Sequence, residues 1–146
     1  MTNMRTLGID YGEARVGIAI TDALNITVQG LETIQRNNSD RIVLKKLDEI
    51  LEKYNIDTIV VGMPLHMNGD LSERGQKTQK FIHKLKCKYN KLKIETIDER
   101  LTTVEANRTM NFLGVNKNKK KNIVDTISAQ YILETYVNKL KNSLQK

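Results

Sequence analysis

The chain has 146 residues, enough for one domain around one core, and its single cysteine, Cys87, excludes an internal disulfide; a small buried thiol in a reducing cytosol is the expectation. No apolar run nears the ~20 residues of a membrane span, and Met1 to Gly17 carries polar or charged residues every few positions, unlike a signal peptide, so a cytoplasmic protein with no membrane partner is expected. The net charge of +7 is one-sided, at −3 for Met1 to Gly75 and +10 for Gln76 to Lys146, which suits a phosphate-neutralising surface as well as it suits ordinary solvation of Lys-rich helices.

Arg5 to Asp10 and Val16 to Thr21 are apolar runs separated by a hairpin-sized gap, and a β-branched stretch, Ile26 to Ile34, follows another short turn. Such gaps leave no room for a crossover helix, so the chain opens as three antiparallel strands. Ser39 to Tyr54 repeats its apolar residues Ile42, Val43, Leu47, Ile50 and Leu51 at helical spacing. Thr58 to Val61 predicts a strand buried on both faces, ending at Gly62 before a loop over Met63 to Gly69. Asp70 and Glu73 have capping-box spacing and predict a helix that turns Phe81, Ile82, Leu85 and Tyr89 to a core; Leu92 to Ile97 predicts strand five.

Thr102 and Glu105 repeat that spacing for a short helix before Gly114. Val115 to Asn122, with Lys117, Lys119, Lys120 and Lys121, is polar enough for a mobile loop, and Asn122 opens a last helix with Ile132, Leu133, Tyr136, Val137 and Leu140 on its apolar stripe. Residues 1 to 146 thus read as one α/β domain: a five-stranded mixed sheet of three antiparallel strands followed by two parallel βα units, flanked by helices.

Acidic residues stand where these elements end: Asp10 closes strand one, Asp98 and Glu99 close strand five, and Asp125 lies early in the last helix. If strands one and five are neighbours, Asp10 and Glu99 converge, and a helix across that edge brings Asp125 to them. Three such carboxylates repel one another without a cation. Mg²⁺ or Mn²⁺ favours oxygen ligands, and two ions about 4 Å apart activate water and stabilise the leaving oxygen of a phosphodiester. Each acid also has a plainer role open to it: Asp10 in the Tyr11 to Arg15 turn, Asp98 and Glu99 beside Arg100, Asp125 as an acid in the first turn of its helix. Gly12, beside Asp10, permits close backbone approach, and Ser128 and Ala129 permit close packing of the last helix.

The segments LGIDYGEARVGIAITD (Leu7 to Asp22), VVGMPLHMNGDLSERGQKTQKF (Val60 to Phe81), IDERLTTVEA (Ile97 to Ala106) and KKKNIVDTISAQYIL (Lys119 to Leu133) together resemble the YqgF family, Holliday-junction-resolvase-like proteins and pre-16S ribosomal RNA nucleases of bacteria. The resemblance implies a ribonuclease H-like fold, metal-dependent cleavage of pre-rRNA or branched DNA, and a metal-binding triad at Asp10, Glu99 and Asp125. Strand alternation puts Asp98 and Glu99 on opposite faces, so one of them supplies the second carboxylate, and Asp98 competes for that place.

Around the acids, Arg15, Arg100, Thr102 and Thr103 could contact phosphate, and Lys117, Lys119, Lys120 and Lys121 could track a nucleic-acid backbone. Capping for the threonines and pairing with Glu13 for Arg15 are the alternatives; His66 and His83 read as loop and surface residues. A resolvase would act as a dimer cutting two strands symmetrically, whereas RNA processing admits a monomer or homodimer. Two further classes fit the same elements, an actin-like nucleotide binder and a noncatalytic RNA-binding factor, the first disfavoured because one short domain offers a nucleotide a single wall.

Overall fold

The computed structural model describes residues 4–66, 68–99 and 117–144, with the side chains of 117–125 and 144 left aside. In chain order these form β1 (Arg5–Tyr11), β2 (Arg15–Thr21), β3 (Val28–Gln35), α1 (Asp40–Lys53), β4 (Ile56–Met63), α2 (Glu73–Lys88), β5 (Lys93–Asp98) and α3 (Lys117–Leu144). The expected short helix from Thr102 lies outside the described residues.

The five strands make one sheet in the order β3-β2-β1-β4-β5, antiparallel from β3 to β1 and parallel from β1 to β5. The mixed sheet is as expected, but strands one and five are not neighbours: β4, apolar on both faces, takes the place between them. A parallel strand buried on both sides belongs in the sheet interior, and β5, with its more exposed residues, stands at the edge.

Alternation along the strands divides the core in two. Leu7, Ile9 and Tyr11 of β1 and Val16, Ile18 and Ile20 of β2 pack with Val43, Leu47 and Ile50 of α1 and Phe81, Ile82 and Leu85 of α2. The other face presents Ala19, Val60 and Ile97 to Ala129, Ile132, Leu133, Tyr136 and Val137 of α3. There the chain is nearly in backbone contact: a Cβ at Gly8 would stand 3.0 Å from both the Ala129 carbonyl oxygen and the Leu133 Cβ. Glycine in β1 and Ala129 in α3 therefore let the helix settle onto the sheet.

Three other expectations change. Ser72 caps α2 in place of Asp70, its hydroxyl accepting from the Gly75 amide at 2.9 Å; Asp70 is used in the preceding turn, where its amide donates to Asn68. Cys87 is exposed on α2 rather than buried, with its sulfur 3.6 Å from His83 Nε2 one turn earlier. The last helix starts at Lys117, so Lys117, Lys119, Lys120 and Lys121 belong to its first turns and not to a loop. Polarity alone suggests a loop, yet Lys is a good helix former. No helix among the described residues is long and apolar enough to cross a membrane.

Candidate active site

Asp10 is the last residue but one of β1, on the same face as Gly8, opposite Gly17 of β2. It sits where parallel strands β1 and β4 end, the end of a sheet that offers side chains to ligands. Immediately beyond it the hairpin closes with the Gly12 amide donating to the Arg15 carbonyl at 3.0 Å, and a Cβ on Gly12 would fall 2.4 Å from that same oxygen. The turn that holds Asp10 in place therefore admits no side chain at position 12.

Glu99 follows β5 directly and is 3% exposed, against 6% for Asp10. Gly62, in β4 between them, explains how it gets there: a Cβ on Gly62 would lie 3.4 Å from Glu99 Oε2 and 2.5 Å from Ile132 Cδ1. The missing side chain on the intervening strand leaves room for the glutamate and for α3. The two acids thus come together although their strands do not touch. Asp98, the last residue of β5, is only partly buried and pairs in register with Met63, so the buried carboxylate at this edge is Glu99's.

A residue absent from the expected site joins them. Arg74, in the first turn of α2, donates from Nη2 to Asp10 Oδ1 at 3.1 Å and to the Tyr11 carbonyl at 3.2 Å, and from Nη1 to Glu99 Oε1 at 3.3 Å. Burial pushes the Glu99 carboxyl above its usual range, and the Arg74 guanidinium opposes that rise without cancelling it. Two carboxylates taken out of water are costly unless a cation shares them, and the guanidinium supplies one positive charge to both. The sequence does carry a signal for Arg74: a cation in a helix's first turn stands at the positive end of the helix dipole, so it needs acids beyond the helix to compensate.

Asp125 lies in α3, two turns before Ile132 and therefore on the same helix face as the residue that packs beside Glu99 and Gly62; its side chain lies outside the described residues. Arg100, Thr102 and Thr103 lie outside them entirely, as do the side chains of Lys117, Lys119, Lys120 and Lys121. Arg15 opens β2, half-buried, in register with Gln35, at the hairpin end of the sheet where Asp10 stands. Glu13, which the sequence offers as a partner for Arg15, bonds Lys77 at 2.8 Å.

The pair fits a hard divalent ion. Two buried carboxylates, each with an oxygen turned to one shared cation, are the donors such an ion selects, and a guanidinium already does part of its electrostatic work. Among the described residues no three His, Cys, Asp or Glu side chains gather as a ligand set.

Among the described residues, a mixed sheet with one helix packed on one face and two on the other, and acids at the ends of its strands, is a ribonuclease H-like fold. Two solved structures share the fold: "T. thermophilus RuvC in complex with Holliday junction substrate", with TM-score 0.54, 12% identity and coverage of 94% of this chain and 96% of that one, and "Thermus thermophilus RuvC structure", with TM-score 0.51, 10% identity and coverage of 94% and 97%. Within that fold, residues 4–139 match the family described as "RuvX: Holliday junction resolvase", and the chain belongs to this family, the one also called YqgF. A protein of Acetivibrio thermocellus named "Putative pre-16S rRNA nuclease" is 48% identical over 134 residues, covering 92% of this chain and 95% of its own. Another of the same name from Clostridium acetobutylicum is 43% identical over 137 residues, covering 94% and 100%. Family and relatives alike make it a hydrolase of nucleic-acid phosphodiesters.

Proposed function

We propose that this chain hydrolyses phosphodiesters in structured RNA, with the 5′ end of the 16S ribosomal RNA precursor as its substrate, and that Asp10, Glu99 and Asp125 hold Mg²⁺ or Mn²⁺ for the reaction. The observation that carries this reading is the convergence of buried Asp10 and Glu99 on one shared cation at the end of the sheet. A divalent ion held there supplies an activated water and charge stabilisation for the leaving oxygen. The chain's own contribution is to keep Asp10 and Glu99 buried and adjacent, with Arg74 opposing the effect of burial on the Glu99 carboxyl and with β1, β4 and α3 as a rigid base. Arg74 neutralises the pair between turnovers and, being 45% exposed, lies within reach of an incoming phosphate. The relatives' shared name supports the RNA substrate.

A DNA-junction resolvase is the second reading, favoured by the family's description and by the junction-bound RuvC neighbour. It requires two copies, so that both strands are cut symmetrically. Cleavage assays in Mn²⁺ on precursor 16S RNA and on a four-way DNA junction, with wild type and Asp10→Asn side by side, test both. Loss of at least about a hundredfold in rate with folding retained is expected for Asp10→Asn. Undiminished cleavage by that variant would refute the assignment, and a wild type that cuts only the junction would replace the RNA reading by the DNA one.

A further inference from the structure

The cations of α2 lie along one side of the helix. Arg74, Lys77, Lys80, Lys84 and Lys88 recur at steps of three and four, so they form a stripe on one helix face. The stripe starts at the acids and runs about 21 Å at 1.5 Å per residue, the rise of about six nucleotides of one duplex strand. It does not stand on an open convex surface. It forms one wall of a groove whose other wall is the Glu13 turn, Arg36 and the first turns of α1, in two connected clefts of about 510 and 700 Å³ that share Arg36, Asp40 and Lys84. Among the described residues, eight cations line the two clefts against four carboxylates.

Three of those carboxylates each fix one lysine of the stripe from across the groove: Glu13 holds Lys77 at 2.8 Å, Asp40 holds Lys84 at 2.7 Å and Asp48 holds Lys88 at 2.9 Å. The Lys77–Glu13 and Lys88–Asp48 pairs are exposed and contribute little to stability, so they exchange readily for another anion, while Lys84 is an exposed ammonium on a buried carboxylate. They also hold the ammonium groups over the groove, which reduces the ordering cost when a polyanion arrives. Asp40 is itself anchored by Arg36 at 2.8 Å and by the Tyr11 hydroxyl, so it keeps its place when a lysine leaves.

From this geometry we infer that the α1–α2 groove is a binding track for the phosphodiester backbone of the substrate, leading away from Asp10 and Glu99 on the face of the sheet opposite α3. The inference rests on the nucleic-acid reading above but concerns a surface outside the acidic site, on a different layer from the lysines of the α3 N-terminus. It gives the enzyme sequence-independent grip on a stem beside the cut, since phosphate contacts fix position and carry no base information.

Equilibrium binding without metal tests it apart from catalysis. The probe is a 20-base-pair RNA duplex with single-stranded ends, titrated in EDTA over a range of KCl concentrations. Lys80→Ala combined with Lys84→Ala is compared with Lys139→Ala combined with Lys141→Ala, an exposed pair on α3 that removes the same charge. The groove variant is expected to bind roughly tenfold more weakly and to lower the slope of log affinity against log salt by about two, while the α3 pair leaves the slope within about a half unit of wild type. Equal losses in both variants, no loss in the groove variant, or a wild type that does not bind the duplex would each overturn the track. Binding with these expected differences but without any metal-dependent cleavage would uphold the track and refute the nuclease reading instead.

Discussion

The two faces of the sheet are built on different principles. Toward α1 and α2 the strands present large aliphatic side chains, and Tyr11 stacks on Phe81 with ring centroids 4.2 Å apart and planes 16° from parallel. Toward α3 they present Gly8, Ala19, Val60 and Gly62, and the helix comes close enough that a methyl at Gly8 meets backbone. One face is held by bulk and the other by proximity. Asp10 and Glu99 stand on the second, where small neighbours leave space for carboxylates, while the cation that serves them comes over the edge from the first.

That contrast can be broken at graded cost. Phe81→Ala empties the centre of the bulky face and is expected to destabilise by about 3–5 kcal/mol, measured by urea denaturation. Gly8→Ala tests the close face by overfilling: with the Ala129 carbonyl 3.0 Å from the new methyl, a loss of about 1–3 kcal/mol is expected, and a neutral outcome would show that α3 can shift outward. Arg74→Gln removes the link between the faces and leaves two buried acids to repel. Its melting temperature in EDTA is expected to fall by a few degrees, for a cost of about 1–2 kcal/mol, and Mn²⁺ should then raise it further than it raises wild type. A smaller loss, about 1 kcal/mol, is expected for Ser72→Ala, which deprives the Gly75 amide of its cap.

The smallest effect is one of pH. Burial alone would raise the Asp40 carboxyl, but Lys84, Tyr11 and Arg36 outweigh it and hold the group below its ordinary value of 3.8. A depressed carboxylate adds stability that is complete above the unfolded value and is lost as the pH falls through the folded one. Asp40→Asn should therefore flatten the loss of stability below about pH 4 while costing little of its steepness elsewhere, as read from melting temperatures across pH 2–7.

Much of this was legible in the sequence because the strongest signals are local. The apolar stripe at Val43, Leu47 and Ile50 and the alternation through β1 and β2 report directly which side chains go inside. The acids at the ends of β1 and β5 could be picked out because those elements end there. What depended on distant residues could not be read in the same way. The insertion of β4 between β1 and β5 is a matter of pairing, and a short apolar run does not name its neighbours. Arg74 was missed because its role is set by residues 64 and 25 positions away in the chain. Cys87 was misjudged because small thiols are usually buried, whereas its place on α2 is decided by Phe81 and Leu85 claiming the inner face.

Tyr11 gives this architecture an unexpected economy. Its carbonyl receives Arg74, its ring lies on Phe81, and its hydroxyl reaches Asp40 at the opening of α1. The residue next to Asp10 is thus a tie rod spanning to the far wall of the groove. One side chain therefore ties the opening of α1 to the strand end that carries Asp10.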